Sequence, residues 1–270
     1  MAKACDAMKK NKNHKEDLSM KKTVSILKFV LSGFVLVGLA TTTTFAFMGQ
    51  GGFFGQKSRV GYGIETAATN IPAQELSQAE KEALMKMVEE EKLARDVYAF
   101  LYGQWGNVIF DRISQSEQRH MDAVSALISK YGLENPVEGL EAGQFVTPSM
   151  QDLYENLTSR GAKSLEQALQ VGATVEDLDI KDLKELMGQC DNQDMLMVFQ
   201  NLERGSRNHM RAFASYLRVM GGSYSAQFLS QDEVDGIISK GWERGPVDQN
   251  GKIMNGFGRG LGMRTCPCLK

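Results

Sequence analysis

Histidine and cysteine are scarce in this chain of 270 residues, and what little there is constrains its chemistry. Of three histidines, His14 falls in the first 46 residues, which leaves His120 and His209 for everything that follows. The four cysteines are Cys5, Cys190, Cys266 and Cys268, with only Cys266-Pro267-Cys268 clustered, so there is no set of paired Cys-x-x-Cys motifs to build a thiolate metal module. That tail pair could hold a soft metal, bridge to Cys190 or remain a solvated thiol pair, and its short spacing does not choose among these. A long apolar run is also missing. The stretch from Phe29 to Ala40, bounded by Lys28 and the threonines at 41 to 44, falls short of the ~20 residues that cross a bilayer. Positive charge is not in excess either: 31 Lys and Arg stand against 33 Asp and Glu, a net charge of −2. Without residues 1–46 the balance is −7, which gives no electrostatic footprint for nucleic acid.

The beginning of the chain concerns location. Met20-Lys21-Lys22, the apolar run and Thr44-Phe45-Ala46 have the order of a secretory signal peptide, so residues 1–46 are expected to be removed on export to the periplasm or the medium, with Met20 a possible true start. An uncleaved N-terminal membrane anchor is the alternative. Residues 47–74 are expected to form a flexible lead, rich in Gly and Phe from Met48 to Gly63, and residues 244–270 a Gly-rich tail. Between them, residues 75–243 make one domain.

Within that domain, residues three and four apart form four apolar helix stripes, each interrupted near its middle. After the capping-box pattern Ser77-Gln78-Ala79-Glu80, the first stripe reads Leu84, Met87, Glu91, Ala94, Tyr98, Leu101, with Glu91 its only charged inward residue. The second, from Asn107 to Tyr131, reads Phe110, Ile113, Glu117, His120, Val124, Leu127, Tyr131. The third, after Ser164, carries Leu165, Leu169, Gly172, Glu176, Asp179, Leu183 and Leu186. The fourth, from Asn192 to Met220, reads Met195, Phe199, Leu202, Ser206, His209, Phe213, Tyr216, Met220. One interrupting Glu is usually a boundary residue whose carboxylate reaches water. Four helices sharing the interruption point instead to a central site, because these charges buried without compensation would each cost several kcal/mol.

The residue types suggest what the compensation is. Glu117-x-x-His120 puts a carboxylate and an imidazole one turn apart on one face, where both can address a single ion. Glu91, Glu117, Glu176 and Asp179 carry four negative charges if ionised, which two divalent cations neutralise while His120 and His209 bind as neutral imidazoles. Mixed carboxylate and imidazole ligation suits iron or manganese, with catalytic zinc also possible.

Three segments carry a family resemblance. Glu89-Glu90-Glu91-Lys92-Leu93-Ala94-Arg95-Asp96, Ser116-Glu117-Gln118-Arg119-His120-Met121-Asp122 and Gly205-Ser206-Arg207-Asn208-His209-Met210-Arg211-Ala212-Phe213 resemble the signatures of the prokaryotic ferritin-like family catalogued as domain of unknown function 2202, over about residues 75 to 240. More distantly, Glu91-Lys92-Leu93-Ala94-Arg95, Glu117-x-x-His120 and Glu176-x-x-Asp179 are similar to the ligand motifs of rubrerythrins. The resemblance implies a ferritin-like bundle with a di-iron or related centre. The chain departs from that pattern at Ser206-x-x-His209, where such sites take a second Glu-x-x-His; this leaves either an open coordination position or a role for Glu203, one turn earlier. The rubredoxin-like electron-delivery module of many rubrerythrins has no counterpart here, so redox cycling would need an external electron donor.

The expectation is therefore an all-α protein: a ferritin-like up-down four-helix bundle with a short turn near Gly103 to Gly106, one long crossover between helices 2 and 3 over Gly132 to Lys163, a short helix at Met150 to Leu157 on the way, and a short extra C-terminal helix at Ser230 to Lys240. Metal is expected at Glu91, Glu117, His120, Glu176 and His209, with Asp179 as ligand or proton relay and Tyr98 as a possible electron carrier or simple core residue. The leading function is an exported oxidoreductase acting on dioxygen or peroxide. A non-catalytic protein that sequesters or senses iron is the alternative, and a bundle whose polar groups pair without metal is a third reading. Homo-oligomerisation is compatible with all three.

Overall fold

A computed structural model describes residues 64–254. The expected signal peptide, Cys5, His14, and Cys266-Pro267-Cys268 lie outside the described residues. Seven helices and no strand are found among the described residues: α1 (Ile64–Thr69), α2 (Gln78–Trp105), α3 (Val108–Lys130), α4 (Pro148–Gly161), α5 (Leu165–Met187), α6 (Gln193–Val219) and α7 (Gln231–Ile238). None is long and apolar enough to cross a membrane.

The helix ends follow from local chemistry. Ser77 and Glu80 form the reciprocal capping box that starts α2, and Ser230 with Glu233 does the same for α7. Asn107 caps α3 and Ser164 caps α5 through their side chains. α2 runs through Gly103 and stops at Gly106, whose φ of 62° is a left-handed conformation that favours glycine, so the turn into α3 is tighter than expected.

The four long helices pack as a bundle, and their directions follow from contacts at one end. The Glu80 carboxylate at the start of α2 accepts from the amides of Asp191 (3.3 Å) and Asn192 (3.2 Å), just ahead of α6. Tyr131, which caps the end of α3, donates to Asp194 in the first turn of α6 at 2.8 Å. The starts of α2 and α6 therefore share an end with the finish of α3 and of α5. Because α3 and α5 run the same way, the chain between them must return the full length of the bundle. It does so over residues 131–164, and α4 is longer than the Met150 to Leu157 segment expected.

This crossover also explains a misjudgement of α2. Glu91 is not its only inward charge, because Glu89, Glu90, Lys92 and Asp96 are buried as well. The return segment covers the side that bears Glu89, Lys92 and Asp96, whereas Glu90 lies by Lys86, 3.4 Å away, and toward Asp182 of α5. Glu89 accepts from the amides of Val146 and Thr147, both at 2.9 Å, and from the Thr147 hydroxyl. Lys92 pairs with Asp96 at 2.6 Å and donates to the Glu141 carbonyl at 2.8 Å, while Gly143 donates to Asp96 at 2.9 Å. A buried lysine is thus present, but it is off the stripe and satisfied away from the bundle centre.

Apolar residues form two clusters. Leu84, Met87, Leu127, Leu183 and Phe199 belong to one, and Tyr98, Leu101, Phe110, Leu169 and Phe213 to the other. Between them lies a buried polar belt from four helices. The fourth stripe shifts beyond Phe213: Leu217 is buried while Tyr216 and Met220 are exposed, because spacing that is slightly too short for a 3.6-residue turn drifts off the inward face. Packed structure also extends past residues 75–243. Ala68 in α1 is buried, and at the other end Val247 packs against Asn201 through two hydrogen bonds.

Candidate metal centre

The belt converges on Glu117. His120 Nδ1 lies 2.7 Å from Glu117 Oε2 and 3.3 Å from Glu91 Oε2. His209 Nδ1 lies 2.8 Å from the other oxygen, Glu117 Oε1, and 3.5 Å from Glu176 Oε2. The imidazoles face each other with ring centroids 5.5 Å apart. Glu117 thus offers one oxygen to each imidazole.

The distances alone suggest ordinary ion pairs, but the angles do not. Both Nδ1 atoms, Glu117 Oε1 and Glu91 Oε1 are buried with no hydrogen-bond partner, although oxygen and nitrogen are within reach of each other. Close approach without alignment is the arrangement of atoms aimed at a common point. Two groups, Glu91–Glu117–His120 and Glu117–Glu176–His209, could each hold a metal ion, with ligand atoms in each lying within 4.8 Å of one another. Two donors at about 2.0–2.2 Å from one ion can be no more than about 4.4 Å apart, and the imidazole–carboxylate separations of 2.7–3.5 Å fall inside that limit.

Electrostatics agree with this reading. Burial pushes the Glu91 carboxyl well above the usual carboxylate range, and neighbouring Glu117 adds to it. Burial, reinforced by Glu117, also raises Glu176, while burial and Glu91 push Asp179 well up. Glu117 goes the other way: burial opposes its ionisation, but His209 and His120 outweigh burial and hold it well below the usual range. For His209, burial favours the neutral ring and the charges of Glu117 and Glu176 overcome that, raising it well above its ordinary value. Four carboxyl groups in so dry a place cannot all ionise unless positive charge joins them.

The remaining candidates are placed unequally. Tyr98 donates to Glu176 Oε1 at 2.5 Å and so fixes the orientation of that carboxylate. Its hydroxyl is also 3.2 Å from the carbonyl of Gly172, where an added Cβ would sit 2.4 Å from the Phe213 ring. Asp179 belongs to neither group. It accepts from the Ser206 hydroxyl, which lies 3.0 Å from the Leu202 carbonyl. Glu203 is drawn to Arg207, 2.8 Å away, and belongs to neither group.

Sequence reasoning overlooked Gly205. A Cβ there would lie 2.6 Å from both Cε1 and Nε2 of His120, so only glycine lets α6 approach that imidazole without displacing it. Its one signal was its position beside the Ser206-x-x-His209 pair. The cavity next to it was also missed. About 370 Å³ of space lies between α3 and α6, bordered by His120, His209 and Gly205, and connects the imidazoles to the surface.

A helical bundle with buried carboxylate and imidazole groups able to hold metal is the class that fold and site define. Within that class, the chain belongs to the family described as uncharacterized protein domain (DUF2202), whose match covers residues 80–241. It is similar to uncharacterized protein MJ0754 of Methanocaldococcus jannaschii, 49% identical over 177 residues, spanning 66% of this chain and 96% of that protein. Among solved structures it is similar to the crystal structure of hypothetical protein MJ0754 from Methanococcus jannaschii DSM 2661, with a TM-score of 0.63 and 48% identity, covering 64% of this chain and 99% of the other.

Proposed function

We propose that this is a ferritin-like protein with a two-metal centre, most compatible with iron, held by Glu91, Glu117, His120, Glu176 and His209, and that it acts as an oxidoreductase on dioxygen or peroxide. The observation that carries this reading is Glu117, shared by two groups whose imidazole nitrogens are buried, close to carboxylates and unaligned with them. Parallel α3 and α5 joined by a full-length crossover support the ferritin-like assignment. Bound here, a pair of redox-active ions would supply electrons to the oxidant.

The chain's own residues do the rest. Glu117 sets the spacing of the two positions, Tyr98 orients Glu176, and the apolar clusters at either end exclude water. The cavity admits a small oxidant to His120 and His209, and Asp179 with Ser206 can hold or pass a proton at Asp179 Oδ2. Electrons come from an external donor. The reading includes export, on the strength of the signal-like residues 1–46.

The full chain should be purified, its metal content measured by mass spectrometry, and the ferrous protein mixed with dioxygen or peroxide while near-ultraviolet absorption is followed. About two ions per chain and repeated turnover with a reductant are expected. A single slow oxidation without turnover would assign the chain to iron holding instead. Unchanged metal content in both Glu117→Ala and His120→Ala would rule out the centre.

A further inference from the structure

The cavity beside the imidazoles is walled by cationic and neutral side chains. Besides His120, His209 and Gly205, its walls include Arg119, Arg204 and Trp242, and no aspartate or glutamate lines it. That is unexpected in a chain whose acidic residues outnumber its basic ones. Neither arginine has an ion-pair partner among the described residues. Arg119 is exposed, while Arg204 makes one hydrogen bond, to the Glu243 carbonyl at 3.3 Å, and its Nε is buried with no partner.

The carboxylate of Glu243, the residue whose carbonyl Arg204 binds, is already committed. It binds Arg207 at 2.6 Å and Arg211 at 2.8 Å. The neighbouring cavity differs: its cations Lys184, Arg207 and Arg211 have carboxylate partners, Glu233, Glu203 and Glu243, and its fourth cation, Lys240, is exposed to water. Desolvation is therefore offset there and not at Arg204. A guanidinium with free N–H groups beside a cavity matches the two oxygens of a carboxylate or oxyanion. The Trp242 ring, although 60% exposed, adds an apolar wall at the mouth, and the bonds from Glu243 to α6 hold the segment in place.

We propose that this cavity binds a small carboxylate or oxyanion between Arg119 and Arg204, against the faces of His120 and His209. In setting that ligand beside metal-bearing imidazoles the proposal rests on the two-metal reading, whereas the anion pocket itself stands on the cavity and its arginines. At about 370 Å³ the cavity holds such an anion together with ordered water, and does not admit a polymer.

Isothermal titration of acetate, and separately of phosphate, into the full chain tests this, with the protein both chelator-treated and loaded with cobalt(II). At least one anion should bind, acetate alone indicating an organic carboxylate and phosphate alone an inorganic oxyanion. Arg204→Gln should weaken binding about tenfold or more, and Arg119→Gln by a smaller factor. Lys184→Gln, which removes a paired cation outside the cavity, should leave it unchanged. Arg119→Gln alters an exposed residue and keeps the test open if the Arg204 variant does not fold. No binding of either anion, or equal binding in both arginine variants, overturns the proposal. Arginine-dependent binding by a chain that takes up no metal would remove the two-metal centre and keep the pocket. Metal uptake without arginine-dependent binding would do the reverse.

Discussion

Glu176 and Asp177 are consecutive residues of α5, both buried and both acidic, yet the fold treats them oppositely. Asp177 accepts from the Tyr224 hydroxyl at 2.8 Å and from the amides of Gln227, Phe228 and Leu229 at 2.7, 3.0 and 2.9 Å. Every donor around it is used, and the result is a staple that ties the segment after α6 to the bundle. Glu176 faces the centre, where Tyr98 is its one well-formed partner and neighbouring Glu91 Oε1, Glu117 Oε1, His120 Nδ1 and His209 Nδ1 have none. Burial alone therefore does not mark a site. A satisfied buried carboxylate is structural, whereas a cluster of buried ligand atoms that approach without bonding is suited to a cation.

The strongest way to break this comparison is at Glu117. Glu117→Ala should lower bound metal from about two ions per chain to below about one, since both groups use this residue, and mass spectrometry of the purified protein reads the result. Retention of two ions would mean that the shared carboxylate is not the hinge of the site. Asp177→Ala tests the other half. Metal content should not change, but denaturant unfolding should show a loss of about 1–3 kcal/mol, because the buried Tyr224 phenol and three amides of the segment after α6 lose their shared acceptor. Gly205→Ala should displace the His120 ring and weaken the Glu91–Glu117–His120 position by about 10- to 100-fold in metal titrations, with little change in unfolding.

The smallest effect concerns Glu243, whose carboxyl is held down at about 2 mainly by hydrogen bonds from Arg207, against the pull of burial. A carboxyl depressed in the folded state binds fewer protons than in the unfolded chain, so its stabilisation is present above the unfolded value and is lost as pH falls toward 2. Glu243→Gln should flatten the acid limb of a stability-against-pH curve between about 4.5 and 2. An unchanged limb would place the acid sensitivity elsewhere. Partial exposure to solvent keeps this contribution modest.

Much of the bundle was legible because helix periodicity is a local property. Spacing of three and four residues identified the long helices, and the interruptions at Glu91, Glu117, His120, Glu176, Asp179, Ser206 and His209 marked a belt whose residues all lie on inward faces. Capping chemistry at Ser77, Ser164 and Ser230 located three starts. What misled was the assumption of one inward face per helix. α2 is covered on a second side by the crossover, so Glu89, Lys92 and Asp96 serve the return segment, and no stripe could reveal this because their partners lie some fifty residues away. Arg204 and Gly205 were illegible for a related reason: a cavity and a close approach are properties of two helices together.

The sequence by itself determined the all-helical class, most of each inward stripe and the carboxylate and imidazole residues at its centre, because these depend on interactions within a turn or two of one helix. Only the tertiary structure decided which polar atoms meet: that Glu117 serves both imidazoles, that Asp179 goes to Ser206 and Glu203 to Arg207, and that Asp177 is satisfied while its neighbour is not. The rotation and height of one helix against another are set by packing across the whole bundle, and that information is distributed over residues far apart in the chain.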